Sequence, residues 1–376
     1  MSGPLAGVRV LELAAIGPGP FAGMLLADLG AEVIRVDRLD DLGDDAARAA
    51  THKILDRGRR SIAVDLKNPA GRDLVLDLAE RAEVLIEGFR PGVTERLGLG
   101  PDDVRQRNRA LVYGRMTGWG QSGPLAERAG HDLDYIALSG ALALVTDPDG
   151  RPRPPLNLLG DFAGGSLYLV AGVLAALLHA RQTGEGQVVD AAIVDGAASL
   201  TAMHHSMVAA DPCSSPSTFD GSTPFYRVYR TADDRWLAVG ALEPQFFGQL
   251  VRGLDVADRS EVAEQYDRQR WPAMQELFEQ TIAEQTLATW EERFAGTDAC
   301  VAPVRDAAEA PTDTHLAARR TYLPAGNGWQ PAPAPRLSAT PGELPAPAPR
   351  IGQHTEEIVI ELGADPAALR ARGAIG

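Results

Sequence analysis

The sequence predicts an α/β fold, a parallel sheet with crossover helices followed by a smaller second domain. Between residues 8 and 90, β-branched apolar runs alternate with helix-spaced segments at short intervals, the rhythm of strands joined through helices. Residues 225–305 change rhythm, with a β-pair followed by two or three helices. The length of 376 residues also exceeds the roughly 100–200 of a common domain.

The elements follow in order. Residues 8–13 form a first strand, a glycine turn follows, and residues 21–29 have helical spacing that Gly30 stops. Residues 32–37 are a second strand, 39–55 a charged irregular loop, and 61–66 a third strand. Asn68-Pro69 opens a helix to about Arg81, because Pro suits the first helical turn, and residues 82–87 are a fourth strand. A small-residue helix at 161–180 follows, with a turn at 184–186, a strand at 187–190 and a helical run at 193–210. Residues 211–223 read as a linker, 226–231 and 236–240 as a β-pair, and the proline-rich stretch 324–349 as an extended linker. Two short helices, 355–362 and 366–372, end the chain.

Composition excludes several classes. A hydrophobic fraction of 45% and a charged fraction of 23% give ample apolar surface to bury, which excludes bulk disorder. With 36 Lys and Arg against 51 Asp and Glu, the net charge is −15. That excludes a general nucleic-acid binder but not a local basic site for one anionic ligand. Cys213 and Cys300 provide neither a disulfide framework nor metal spacing, so no metal site is expected. The N-terminus lacks a signal-peptide pattern. The longest apolar stretch, 167–180, is shorter than the roughly 20 residues of a spanning helix. A cytoplasmic protein without membrane contact is expected.

Gly17-Pro18-Gly19-Pro20-Phe21-Ala22-Gly23, with Asp37 beyond it, loosely imitates a dinucleotide fingerprint. The imitation fails because Pro18 and Pro20 lack the N–H groups that would face a pyrophosphate, and the third glycine is one position late. A tight strand-to-helix turn is the better reading.

Five ordered stretches carry a resemblance. They are residues 4–13, residues 29–37, Arg57-Gly58-Arg59-Arg60-Ser61 with Asp65-Leu66-Lys67, Glu87-Gly88-Phe89-Arg90-Pro91-Gly92, and Gly352 with His354-Thr355-Glu356-Glu357. Together they resemble the family III CoA transferases and racemases (CaiB/BaiF-like), with Asp56 standing where Asn is usual. The resemblance implies a large Rossmann-like CoA-binding domain from residues 1–191 and 330–376. It also implies a linker at 192–224, a small α+β domain at 225–305, a return linker at 306–329, and an interlocked homodimer.

Three positions resemble the racemase branch. His131, in Gly130-His131-Asp132, replaces the Tyr of the transferases, and an imidazole titrates near neutrality. Asp161, in Gly160-Asp161-Phe162-Ala163-Gly164-Gly165, reads locally as a helix N-cap. It corresponds to the transferase nucleophile and the racemase proton carrier. Glu243 stands where transferases have Asn. The branch implies interconversion of (2R)- and (2S)-2-methylacyl-CoA thioesters by 1,1-proton transfer through an enolate, without a cofactor beyond the CoA of the substrate. His131 and Asp161 would carry protons on opposite faces, with Glu243 and Asp132 orienting them. Backbone N–H groups of Phe162, Ala163 and Gly164 would hold the enolate oxygen. The active site would join the large domain of one subunit to the small domain of the other. Positions matching Arg38, Lys67 and Arg96 contact CoA in the family, and Arg90 follows a strand end with them. Arg57, Arg59 and Arg60 form either a further cationic cluster or a solvated charge run. Met116, Met203 and Met207 offer an adaptable apolar surface for an acyl tail or are plain core. The alternatives are a CoA transferase forming an aspartyl anhydride on Asp161, against which His131 and Glu243 argue, and a non-catalytic CoA-binding protein.

Overall fold

The computed structural model describes residues 3–44, 53–147, 150–210 and 219–376. The expected loop at 39–55 and linker at 211–223 therefore lie partly outside the described residues. The chain divides into two compact units, one of Met1–Leu142, Pro154–Thr201 and Leu323–Gly376, the other of Ala143–Arg153 and Ala202–Tyr322.

The first unit holds a six-stranded sheet of β1 (Arg9–Leu13), β2 (Glu32–Arg38), β3 (Arg59–Val64), β4 (Val84–Glu87), β5 (Val112–Thr117) and β6 (Val188–Ala192). Its order is β3-β2-β1-β4-β5-β6, every neighbouring pair parallel. The chain walks outward from β1 to β3, then returns to lay β4 on the other side of β1. Both faces are buried, as a parallel sheet requires. Alternation along each strand sends Leu11, Ile34, Ile62 and Leu85 into one core and Val10, Val33, Val84 and Ile86 into the other. The Pro69–Glu80 helix covers the first face through Leu74, Val75 and Leu78. The Pro18–Asp28 and Tyr168–Thr183 helices cover the second through Ala22, Leu26, Leu169 and Val173.

Several local expectations shift. The first helix begins at Pro18 rather than Phe21, since prolines in a first turn give up N–H groups that have no intrahelical partner. β5 was concealed because it runs straight into the glycine-rich loop at 118–124. Residues 158–167 are π-helical and continue into the Tyr168–Thr183 helix, so the helix starts before Asp161. The combined 26 residues are long and apolar enough to cross a membrane, which corrects the shorter stretch read from sequence. Val170, Val173, Ala176 and Leu177 of this helix nevertheless pack in the core. Helices Ile193–Leu200 and Ala202–Ala210 match the helical run expected at 193–210 and occupy much of the segment that the resemblance implied as a linker.

The C-terminal segment is fastened to β3. The Ala63 N–H donates to Thr355 Oγ1 (3.1 Å), Gly352 N–H to Ser61 Oγ (2.8 Å), and Asp65 N–H to the Ala374 carbonyl (3.0 Å). The second unit has an antiparallel sheet of β7 (Tyr226–Arg230), β8 (Trp236–Gly240) and β9 (Val301–Pro303). Phe225, Tyr229, Leu250, Phe278 and Trp290 form its core.

Buried arginines hold the first unit together. Arg57 pairs with Asp28 (2.5 Å), each 2% exposed, and donates to the Pro331 carbonyl (2.8 Å). Arg59 pairs with Glu12 (3.0 Å), and Arg35 with Asp37 (3.1 Å) and Asp56 (2.7 Å). Asp56, in place of the usual Asn, thus supplies a countercharge to a fully buried guanidinium. Arg60 is held by Glu32, Glu357 and Glu361. The 57–60 run is therefore neither a solvated charge run nor a reserve of free cations. Removing one partner strands a buried charge, so Asp28→Ala is expected to cost about 3–5 kcal/mol in urea unfolding. A loss below about 1 kcal/mol would show the pair to be incidental.

Candidate active site

In an open parallel sheet, ligands bind beyond the carboxyl ends of the strands where the order reverses. Here that point lies between β1 and β4, and a cleft of about 550 Å³ opens there. Its walls come from the ends of β1 (Ile16, Gly17), β4 (Phe89, Arg90) and β5 (Met116, Trp119), and from His131 and Asp161.

Asp161 reaches the cleft from the π-helical stretch, an irregularity common at functional sites. Asn157, not Asp161, occupies the N-cap position. The strand-to-helix turn accommodates its carboxylate, since a Cβ on Gly17 would stand 3.2 Å from Asp161 Oδ2, and φ is +69° there. Only glycine adopts that conformation without cost. Phe162 stacks on Phe21 (4.4 Å between centroids), and Ser166 Oγ donates to the Pro18 carbonyl (2.7 Å), tying the π-helical stretch to the first helix.

Asp132 is buried and accepts the Asp161 N–H at 2.6 Å. Its carboxylate takes up a donor that the helix start leaves unbonded. Burial pushes Asp132 above the ordinary carboxylate range against the Asp161 and Gly160 N–H groups. Burial also pushes Asp161 up, while Asn157, donating at 3.4 Å, pulls it down. The Asp132 charge raises it further, and His131 lowers it. His131 itself is exposed at the start of the Asp132–Leu138 helix, where its N–H donates to Asp134 Oδ2 (2.9 Å). Behind it, Tyr135 donates to the Gly130 carbonyl and meets Trp119 edge-on (4.7 Å). A Cβ on Gly118 would fall 2.0 Å from Tyr135 Cζ, so the loop requires glycine there.

The structure corrects the expected oxyanion donors. The Phe162 N–H donates to the Asn157 carbonyl at 3.3 Å. Ala163 and Gly164 lie within the π-helical stretch, whose N–H groups bond carbonyls five residues back. These three N–H groups are committed to the helix, because it starts earlier than Asp161 suggested.

Arg38 ends β2, Lys67 follows β3, Arg90 follows β4, and Arg96 lies in the Val93–Leu97 helix. Parallel strands place these positions at one edge of the sheet. All four are exposed, and none forms an ion pair with a described residue. Of them, Arg90 lines the cleft. Glu243 belongs to the second unit, exposed at the N-terminus of the Pro244–Gly253 helix, where its carbonyl accepts the Phe246 and Phe247 N–H groups. Of the methionines considered for an acyl tail, Met116 lines the cleft and Met203 is exposed. Sequence reasoning missed the wall formed by Ile16, Phe89, Trp119 and Tyr135, which come from four separate segments.

The profile of CoA-transferase family III matches residues 5–355. The chain belongs to that family. It is 43% identical over 364 residues to the mouse protein named alpha-methylacyl-CoA racemase, covering 96% of this chain and 93% of the relative. It is 31% identical to the succinyl-CoA–L-malate CoA-transferase beta subunit of Chloroflexus aurantiacus, covering 96% and 94%. Among solved structures, a CAIB/BAIF family protein from Brucella suis superposes with a TM-score of 0.83 at 27% identity, covering 96% of this chain and all of that one.

Because the Asp132 charge raises the Asp161 pKa, Asp132→Asn is expected to move the Asp161 titration to lower pH, as followed by carboxyl carbon NMR. An unmoved or raised titration would break the proposed coupling.

Proposed function

We propose that this chain is a racemase interconverting the 2R and 2S forms of 2-methylacyl-CoA thioesters. One observation carries the reading. An imidazole, His131, and a desolvated carboxylate, Asp161, face a single cleft at the switch point of the sheet. The 43% identity to a named racemase supports it.

A hydrogen next to a thioester carbonyl is weakly acidic, and inversion requires its removal from one face and return to the other. His131 and Asp161 supply one base and one acid, with the roles exchanged for the opposite enantiomer. Partial desolvation brings the Asp161 carboxyl above its ordinary range, which moves it toward the neutral pH where acid and base forms must both serve. Asp132 positions Asp161 through the backbone bond and adjusts its charge. The apolar wall of Ile16, Phe89, Met116 and Ile193 suits the acyl chain, and Arg38, Lys67, Arg90 and Arg96 receive the CoA phosphates.

The proposal includes a homodimer. Within the first unit, Leu158, Leu167, Leu178 and Leu200 are 45–61% exposed, apolar surface that a partner subunit would cover. We place Glu243 of the partner subunit beside His131, where a carboxylate would orient the imidazole and favour its charged form.

His131→Ala and Asp161→Ala are each expected to slow racemisation about 100-fold or more, the usual value of a positioned acid or base, as followed by chiral separation of the thioesters. Full activity in either would remove that residue from the reaction. A covalent acyl or CoA adduct on Asp161 would instead favour a CoA transferase, the activity named in the 31% identical relative. Mixing Asp161→Ala and Glu243→Ala subunits should regenerate one intact site per mixed dimer and recover activity. No recovery, in a mixture shown to exchange subunits, would place Glu243 in the site of its own chain or outside it.

A further inference from the structure

A charged network lies beside the cleft without lining it. Glu87, the last residue of β4, is 2% exposed, and its register partner on β5 is Arg115. Glu87 Oε1 accepts Arg115 Nε at 3.0 Å, and Oε2 accepts the Phe89 N–H at 2.6 Å. Arg115 Nη1 reaches Glu95 Oε1 at 2.8 Å. Thr94, buried beside them, donates to Glu95 Oε2 at 3.1 Å. The guanidinium fork thus spans from the end of β4 to the Val93–Leu97 helix, bracketing the loop at 88–92 from both sides. That loop carries Phe89, Arg90 and Pro91 into the cleft. Arg96 lies one residue beyond Glu95, and a Cβ on Gly92 would stand 3.1 Å from its Nη1.

We propose that Glu87, Arg115 and Glu95 form a clamp whose task is to position Arg90 and Arg96 for the phosphates of the CoA thioester. The proposal rests on the thioester reading above. These are positioning residues, since none lines the cleft. A planar fork is needed because two carboxylates on different elements are engaged at once, and a lysine ammonium does not reproduce that bridge.

Charge and geometry predict opposite signs for Glu95→Ala. Deleting a negative charge beside Arg96 would, by charge alone, tighten an anionic ligand. Losing the clamp releases the loop and weakens that ligand. Glu95 is about half exposed (44%), so the variant should fold, and Arg115→Lys provides a second test that retains the buried charge. The substrates are a 2-methylacyl-CoA and the same acyl group on pantetheine, which lacks the nucleotide phosphates. The clamp predicts that both variants raise KM for the CoA thioester about two- to fivefold, the worth of one partly exposed pair. It also predicts kcat unchanged and no rise with the pantetheine thioester. Unchanged or lower KM for the CoA thioester, or equal rises with both substrates, would overturn the clamp. Arg96→Ala separates the two levels. If it too leaves KM for the CoA thioester unmoved, the assignment of phosphates to these arginines has failed, and the clamp falls with it. If Arg96→Ala raises KM while Glu95→Ala does not, only the clamp has failed.

Discussion

The reversal of strand order between β1 and β4 is the constraint on which the site depends. Parallel strands send all their carboxyl ends to one edge, and the loops leaving β1 and β4 must part there in opposite directions. The gap they leave is the cleft. Short connections bring the cleft residues to this gap. Gly17 turns the chain tightly enough for the Asp161 carboxylate to rest against it. The residues after β4 supply Phe89 and Arg90, and the glycine loop after β5 supplies Trp119.

Desolvation is used in two ways. In the sheet it is offset by pairing, as Arg35, Arg57, Arg59 and Arg115 each meet a carboxylate. Burial still prevails at Asp28, which is raised despite Arg57, and at Glu87, where it pushes the carboxyl up to about 7 despite the Phe89 N–H and Arg115. In the cleft the offset is deliberately incomplete. Asp132 takes the Asp161 N–H, so the helix start gives its charge to Asp132, while among the described residues the Asp161 carboxylate accepts one long side-chain bond, from Asn157. Burial leaves both the Asp161 and the Asp132 carboxyl above the ordinary range, a perturbation that marks candidate functional groups.

What the sequence disclosed and what it concealed follow from separation along the chain. His131, Asp161 and the glycine turn are each marked by their immediate neighbours. The parallel sheet was legible from alternation alone, except where β5 merged into a glycine loop. The Asp132 bond to Asp161 spans 29 positions and carries no local signal. The arginines at 57, 59 and 60 looked like a cationic patch because their acids, Asp28, Glu12 and Glu32, sit on elements that only the fold brings beside β3. Likewise, Asp161 resembled an N-cap because a π-helical start at Leu158 has no familiar sequence signature.

The central claim is that two different residues handle the proton on the two faces of C2. A single turnover of one enantiomer in deuterated water, with deuterium at C2 located separately in product and recovered substrate, tests it most directly. Two bases predict that the product enantiomer carries solvent deuterium at C2 from its first appearance. A product that retains the hydrogen of its own substrate would mean that one group served both faces, and would contradict the account.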